Sequence, residues 1–133
     1  MASIRKEVPI AASPEHVWSA LRDVGALHQR LVPGFVVDCR LEGNARVVTF
    51  ANGTMVRELI VDIDDAARRL VWSVVGGRFT HHNASAQVFP VEGGNSRFVW
   101  IADLLPNELA PSIDAMMGQA TEVIRETMER TAG

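Results

Sequence analysis

Residues 35–64 read FVVDCRLEGNARVVTFANGTMVRELIVDID. Apolar and polar residues alternate through much of this stretch, as they do in strands with one buried and one solvated face. Two turn signals divide it, Glu42-Gly43-Asn44 and Asn52-Gly53, and the second suits the positive φ angles of a two-residue type I′ hairpin. Because turns this short cannot hold a crossover connection, the sequence predicts antiparallel strands.

The same period of two continues to Leu105, with a further turn signal at Gly93-Gly94-Asn95. We expect one earlier strand over Ser3 to Ile10. The six strands that follow are expected at residues 35–42, 45–51, 54–63, 69–75, 80–91 and 95–104.

Two short helices are expected between the first strand and the second. Ser13 can cap a helix whose first position suits Pro14, and Gly25 ends it. A second helix is predicted over residues 26–32, before Pro33-Gly34. The first helix has an apolar stripe formed by Val17, Trp18, Leu21 and Val24.

A long C-terminal helix is predicted from about Pro111 to Arg130. Its apolar stripe follows helical spacing and comprises Leu109, Ile113, Met116, Met117, Ala120, Ile124, Thr127 and Met128. An antiparallel sheet can bury this stripe by packing the helix on one face. The sequence therefore predicts an α+β fold, a seven-stranded curved antiparallel sheet around a long C-terminal helix.

The composition limits the classes of function. A chain of 133 residues suits a single domain over 1–133, and its 47% hydrophobic and 22% charged residues are typical of an ordered globular protein. Thirteen basic and sixteen acidic residues give a net charge of −3 without a basic run, which argues against nucleic-acid binding. No segment approaches the ~18 apolar residues of a membrane helix, and no apolar signal core begins the chain. We therefore expect a cytoplasmic protein without a membrane partner.

Four strings in this order of elements resemble the polyketide cyclase/dehydrase branch of the START-like (SRPBCC) superfamily. They are SPEHVW at 13–18, FANGTMVRE at 50–58, RRLVWSVVG at 68–76 and VWIAD at 99–103. The resemblance spans nearly the whole chain and implies a helix-grip fold with a cavity between sheet and terminal helix. Members of the superfamily use this cavity for cyclisation, dehydration, hormone sensing or lipid carriage, so the resemblance does not specify a reaction.

One departure from the family pattern lies near the second helix. Many relatives carry a Trp-His-Pro string there, whereas this chain has Gln29-Arg30-Leu31-Val32-Pro33. No role of that Trp-His pair can be carried over.

Arg57 is the first candidate for a polar contact with a ligand. Side chains alternate between the two faces of a strand, and Thr54, Glu58 and Asp62 share the face that looks solvated. We therefore expect Arg57 to point inward together with Met55, Leu59 and Val61. An inward guanidinium needs an anionic or carbonyl partner, which a ligand or a structural carboxylate could supply.

His82 is the second candidate, because it shares a face with Ala84, Ala86 and Val88. An inward histidine could move a proton on an enolisable substrate, or it could be a hydrogen-bonded core residue. No Cys or carboxylate cluster has the spacing of metal ligands, so we expect neither a metal nor another cofactor.

Aromatic and sulfur-containing side chains are expected to form the cavity wall, unless they are ordinary core residues. Flat rings suit a flat ligand, and flexible thioethers adapt to its shape. The expected lining is Phe35, Met55, Leu59, Trp72, Trp100, Met116 and Met117.

The leading hypothesis is therefore a protein that binds an apolar or aromatic small molecule. It includes a cyclase or dehydratase in which Arg57 polarises a carbonyl group and His82 moves the proton. The first alternative is a non-catalytic carrier or sensor of a hydrophobic metabolite. The second is a regulatory protein-interaction module, which predicts an interior without a ligand-sized void. A homodimer is compatible with all three hypotheses.

Overall fold

The computed structural model describes residues 2–132. Seven strands and two α-helices follow the chain, with a short π-helical segment, Leu27–Leu31, after the first helix. The elements are β1 (Ala2–Ile10), α1 (Pro14–Arg22), β2 (Val36–Glu42), β3 (Ala45–Phe50), β4 (Met55–Asp64), β5 (Arg69–Val75), β6 (His81–Pro90), β7 (Ser96–Leu105) and α2 (Ala110–Thr131).

The seven strands form one antiparallel sheet in the order β1-β7-β6-β5-β4-β3-β2. The predicted α+β fold with a seven-stranded curved sheet and a long C-terminal helix is confirmed. The predicted strand bounds agree with the observed ones to within one or two residues, because Gly and Asn mark the turns between most strands.

The core lies between the inward face of the sheet and helix α2. The helix packs mainly against β1, and its stripe buries Met117, Ile124 and Met128. Pro111 lies in the first turn of α2, where its missing N–H leaves no hydrogen bond unmade. No helix within residues 2–132 is both long enough and apolar enough to cross a membrane.

The β3–β4 hairpin differs from the predicted two-residue type I′ turn. Phe50 N donates to Thr54 O at 2.8 Å, and Gly53 N donates to Phe50 O at 2.9 Å, so three residues form the loop. Gly53 has a φ of +88°, whereas Asn52 does not take a positive φ. A type I turn followed by a left-handed glycine is a common three-residue hairpin loop. The resulting register places Arg46 directly opposite Glu58.

A bulge in β4 interrupts the alternation of its side chains. The register with β5 shifts between Ile60 and Asp62, so one extra residue, Val61, separates two regular segments. Glu58 and Ile60 face inward before the bulge, whereas Asp62 faces outward after it. The sequence-based assignment of Glu58 and Asp62 to one solvated face is therefore wrong, and so is the expected inward orientation of Arg57.

Candidate functional site

An open cleft of about 640 Å³ lies between the inward face of the sheet and the first half of α2. The β3–β4 hairpin, the loop after β5 and the start of α2 surround it. Its apolar lining includes Phe35, Phe50, Val56, Val74, Phe79, Ile113 and Met116. Exposed polar side chains border its mouth, namely Asn52, Thr54, Ser112 and Gln119.

A smaller apolar cavity of about 70 Å³ continues from the cleft toward the core. Phe35, Phe50, Glu58 and Met116 line both spaces, so the inner cavity forms the floor of the cleft. Its remaining lining is apolar and comprises Leu21, Leu27, Leu31, Val32, Val36, Trp72, Ala86, Phe98, Trp100, Ala120 and Ile124. The cleft is a ligand-sized void, which speaks against the interaction-module hypothesis.

A buried ion pair lies where the two spaces meet. Arg46 and Glu58 are 3% and 8% exposed, and Arg46 Nε donates to Glu58 Oε1 at 2.8 Å. Arg46 also donates to the carbonyl of Val24 at 3.3 Å, and its guanidinium carbon lies 5.7 Å from the centre of the Trp72 ring. Hydrogen bond, ion pair and cation–π contact together fix the position of the Glu58 carboxylate.

Sequence reasoning missed both members of this pair. Arg46, Val48 and Phe50 alternate along β3 and face inward, and Glu58 faces Arg46 across the hairpin. A charged residue flanked at i+2 and i+4 by apolar residues was the available signal. Its partner could be found only with the correct hairpin register. A two-residue turn, as assumed from the sequence, shifts the pairing of β3 with β4 by one residue.

His82 faces inward as predicted and lines the cleft. Its ring centre lies 4.5 Å from that of Phe79, and its Nδ1 atom is enclosed without a hydrogen-bond partner among residues 2–132. Burial lowers the pKa of His82, and the charge of His81 lowers it further. The imidazole is therefore neutral at neutral pH and can accept a proton.

Glu58 and His82 lie in one row across the sheet. Glu58 pairs with Val74, and Val74 follows Ser73, whose partner is Asn83. Two strand spacings therefore separate the backbones of Glu58 and His82, about 10 Å. The cleft presents a fixed carboxylate and a neutral imidazole on the same wall.

Four of the seven predicted wall residues line the cleft or the inner cavity. Trp72 and Trp100 line the inner cavity, and their ring centres are 6.1 Å apart. Phe35 and Met116 line both the inner cavity and the cleft, at the junction of the two. The indole Nε1 of Trp100 is enclosed and has no partner within residues 2–132. Phe35 packs edge-on against Phe50, with ring centres 5.9 Å apart.

Met55, Arg57 and Leu59 do not line the cleft or the inner cavity, because all three have the outward parity of β4. Arg57 donates to Glu42 Oε1 at 2.6 Å on the outer face, and this contact lowers the pKa of Glu42. Met55 is 59% exposed and borders a separate groove beside Arg57. Met117 is also misassigned, since it is fully buried in the core beneath α2.

Metal-ligating side chains are not clustered in this site. Across residues 2–132, no group of three or more His, Cys, Asp or Glu side chains is placed to hold a metal ion.

A family model described as polyketide cyclase/dehydrase and lipid transport matches residues 1–132. The chain belongs to this family. No curated protein matches it significantly. The resemblance to the polyketide cyclase/dehydrase branch that the sequence indicated is thus confirmed.

Solved structures show the same START-like fold. A Thermobifida fusca protein solved by NMR is 27% identical, has a TM-score of 0.80, and is matched over 98% of this chain and 95% of its own. A START superfamily protein from Mycobacterium smegmatis is 14% identical with a TM-score of 0.74, over 98% and 96% of the two chains. Norcoclaurine synthase from Thalictrum flavum, as a point mutant with a transition-state analogue, is 19% identical with a TM-score of 0.71, again over 98% and 96%.

Proposed function

We propose that this member of the polyketide cyclase/dehydrase family binds one apolar or aromatic small molecule in the cleft and its inner cavity. The observation that carries the proposal is a continuous apolar lining with a single buried ion pair at its centre. Ligand sites of about 300–1,000 Å³ lined by apolar groups and a few fixed polar groups are typical of small-molecule binding. The cleft of about 640 Å³ has room for a molecule of a few fused rings.

Aromatic side chains favour a flat ligand. Trp72 and Trp100 form one wall of the inner cavity, and Phe35 and Phe50 stand at its entrance. Rings in such a space can stack or pack edge-to-face with a planar ligand. Met116 borders both spaces, and its flexible thioether can adapt to the ligand's outline.

Filling the inner cavity tests the proposal. Ala120 lines this cavity, so Ala120→Leu adds three carbon atoms where space is free, and we expect the thermal midpoint to change little. We expect binding of the neutral dye Nile red, followed by its fluorescence, to weaken at least tenfold because the added carbons occupy the ligand's place.

Ala102→Leu is the matched control. Ala102 is equally buried but lines neither the cleft nor the inner cavity, so the larger side chain should lower the free energy of unfolding by about 1–3 kcal/mol. Nile red binding to the folded fraction should persist. A stable Ala120→Leu protein that binds the dye as tightly as wild type would contradict ligand binding in this cavity.

A second candidate function, proton transfer on the bound ligand, is favoured by His82. A neutral imidazole in the cleft wall could remove a proton from a carbon beside a carbonyl group. It could then return that proton to a departing hydroxyl group, which leaves as water in a dehydration. Arg57 has no part in this step, because it lies on the outer face of the sheet.

Exchange of the methyl protons of 2-acetylnaphthalene with D2O, followed by NMR, separates this enzyme hypothesis from the carrier hypothesis. An enzyme should accelerate the exchange, and His82→Gln should reduce the acceleration about a hundredfold while leaving affinity nearly unchanged. Wild-type protein that binds the ketone without accelerating its exchange would support a carrier and exclude this role of His82.

A further inference from the structure

We infer that Glu58 determines the ligand's polarity: the cavity takes a neutral ring compound whose hydroxyl group donates a hydrogen bond to Glu58 Oε2, and it excludes carboxylate ligands. This inference rests on the proposed binding function and adds a ligand class to it. It is supported by the open oxygen of Glu58, the charge balance of the site and the position of the carboxylate.

The two oxygens of the Glu58 carboxylate have different surroundings. Oε1 accepts the hydrogen bond from Arg46 Nε, whereas Oε2 has no hydrogen-bond partner among residues 2–132. Oε2 is also not one of the enclosed unpartnered side-chain atoms of this part of the chain. Since Glu58 faces inward and lines both the cleft and the inner cavity, Oε2 is open to the ligand space.

The charge balance disfavours an anionic ligand. Glu58 is the only charged side chain among the described residues that line the cleft and the inner cavity, and Arg46 balances it from behind. His82 adds no positive charge at neutral pH, because burial lowers its pKa. A ligand carboxylate would therefore face a like charge with no free cation beside it, in a poorly solvated space.

The position of Glu58 also specifies where the hydroxyl group lies. The carboxylate stands at the junction of the two spaces, and Arg46, its partner, contacts the Trp72 ring. A ring inserted among the aromatic side chains of the inner cavity would carry its hydroxyl group on the edge that faces the junction. A carboxylate acceptor makes a stronger hydrogen bond to a hydroxyl group than a neutral acceptor does.

Three probes with the same ring test the inference at pH 7: naphthalene, 2-naphthol and 2-naphthoate. Competition with Nile red gives their affinities for the wild-type protein. We expect 2-naphthol to bind about tenfold tighter than naphthalene, as one charge-assisted hydrogen bond allows, and 2-naphthoate to bind more weakly than naphthalene. Binding of 2-naphthoate as tight as that of 2-naphthol would overturn the inference.

Glu58→Gln should reverse the order of the probes. The substitution leaves Arg46 without a carboxylate partner, so 2-naphthoate should gain at least tenfold and become the tightest probe. Arg57→Gln is the matched control, because it removes one charge at the adjacent residue on the outer face and should leave the wild-type order unchanged.

A double substitution keeps the inference testable if Glu58→Gln does not fold. Replacing both members of a buried ion pair by apolar residues is often neutral or stabilising, so Arg46→Met/Glu58→Met should fold. It should bind naphthalene and 2-naphthol equally, and a retained preference for 2-naphthol would overturn the role of Glu58. If neither Nile red nor any probe binds the wild-type protein, the proposed function fails together with the inference. If the probes bind but 2-naphthoate binds as tightly as 2-naphthol, only the inference fails.

Discussion

Arg57 and Glu58 are neighbours in β4 with opposite environments. Arg57 meets Glu42 on the solvated face, where an ion pair contributes little to stability because water screens it. Glu58 meets Arg46 in the interior, where removing one partner strands the other charge at a cost of about 3–5 kcal/mol. One step along a strand therefore separates a surface contact from the polar centre of the cavity.

His82 should make stability depend on pH. Burial holds the pKa of His82 below the ordinary value of about 6.5, so the unfolded chain takes up a proton that the native protein resists. The free energy of unfolding should therefore fall as pH falls from about 7 to 5. His82→Gln should flatten this part of the dependence, measured by urea unfolding at several pH values.

The adjacent histidine provides the control for this experiment. His81 is exposed, so His81→Asn should leave most of the pH dependence in place. A His82→Gln protein with the wild-type slope would show that the imidazole is not buried in the native state.

Helix α2 has two isoleucines on one apolar stripe, and their burial differs. Ile124 is 3% exposed and packs in the core, whereas Ile113 is only half-buried and borders the cleft. Ile124→Ala should lower the free energy of unfolding by about 2–5 kcal/mol through lost burial and a residual cavity. Ile113→Ala should cost less than half as much in the same denaturation experiment. Equal losses would mean that the cleft is closed over Ile113 in solution.

At the level of elements, the positions of the strands were predictable and two details of their pairing were not. Turn residues mark strand ends because they satisfy specific φ requirements, but Asn52-Gly53 fits both a two-residue and a three-residue loop. The bulge at Val61 lies at the end of a short apolar run, Leu59 to Val61, and no turn residue marks it. β6 and β7 have an unbroken register with each other, and there the predicted faces of His82 and Trp100 were correct.

The cavity of the whole molecule lies between α2 and the part of the sheet that the helix does not pack against. The helix is held against β1, where Lys6 and Asp114 form an ion pair, and β1 lies at one edge of the sheet. Residues of the middle strands and of the first half of the helix line the cleft between them. Family membership and fold could thus be inferred from the sequence. The polar centre of the site could not, because it depends on a hairpin register and a bulge.

The pairing of β1 with β7 also bears on how the chain folds. Ala2 pairs with Leu104, and the register continues to the pair of Ile10 and Ser96, so the first of the seven strands pairs with the last. β1 has no strand to pair with until β7 has been synthesised, and closing so large a loop slows folding. During that interval its charged residues Arg5, Lys6 and Glu7 hinder pairing with strands of other molecules. β1 thus joins the sheet late, and the sheet that forms one wall of the cleft is complete only after that step.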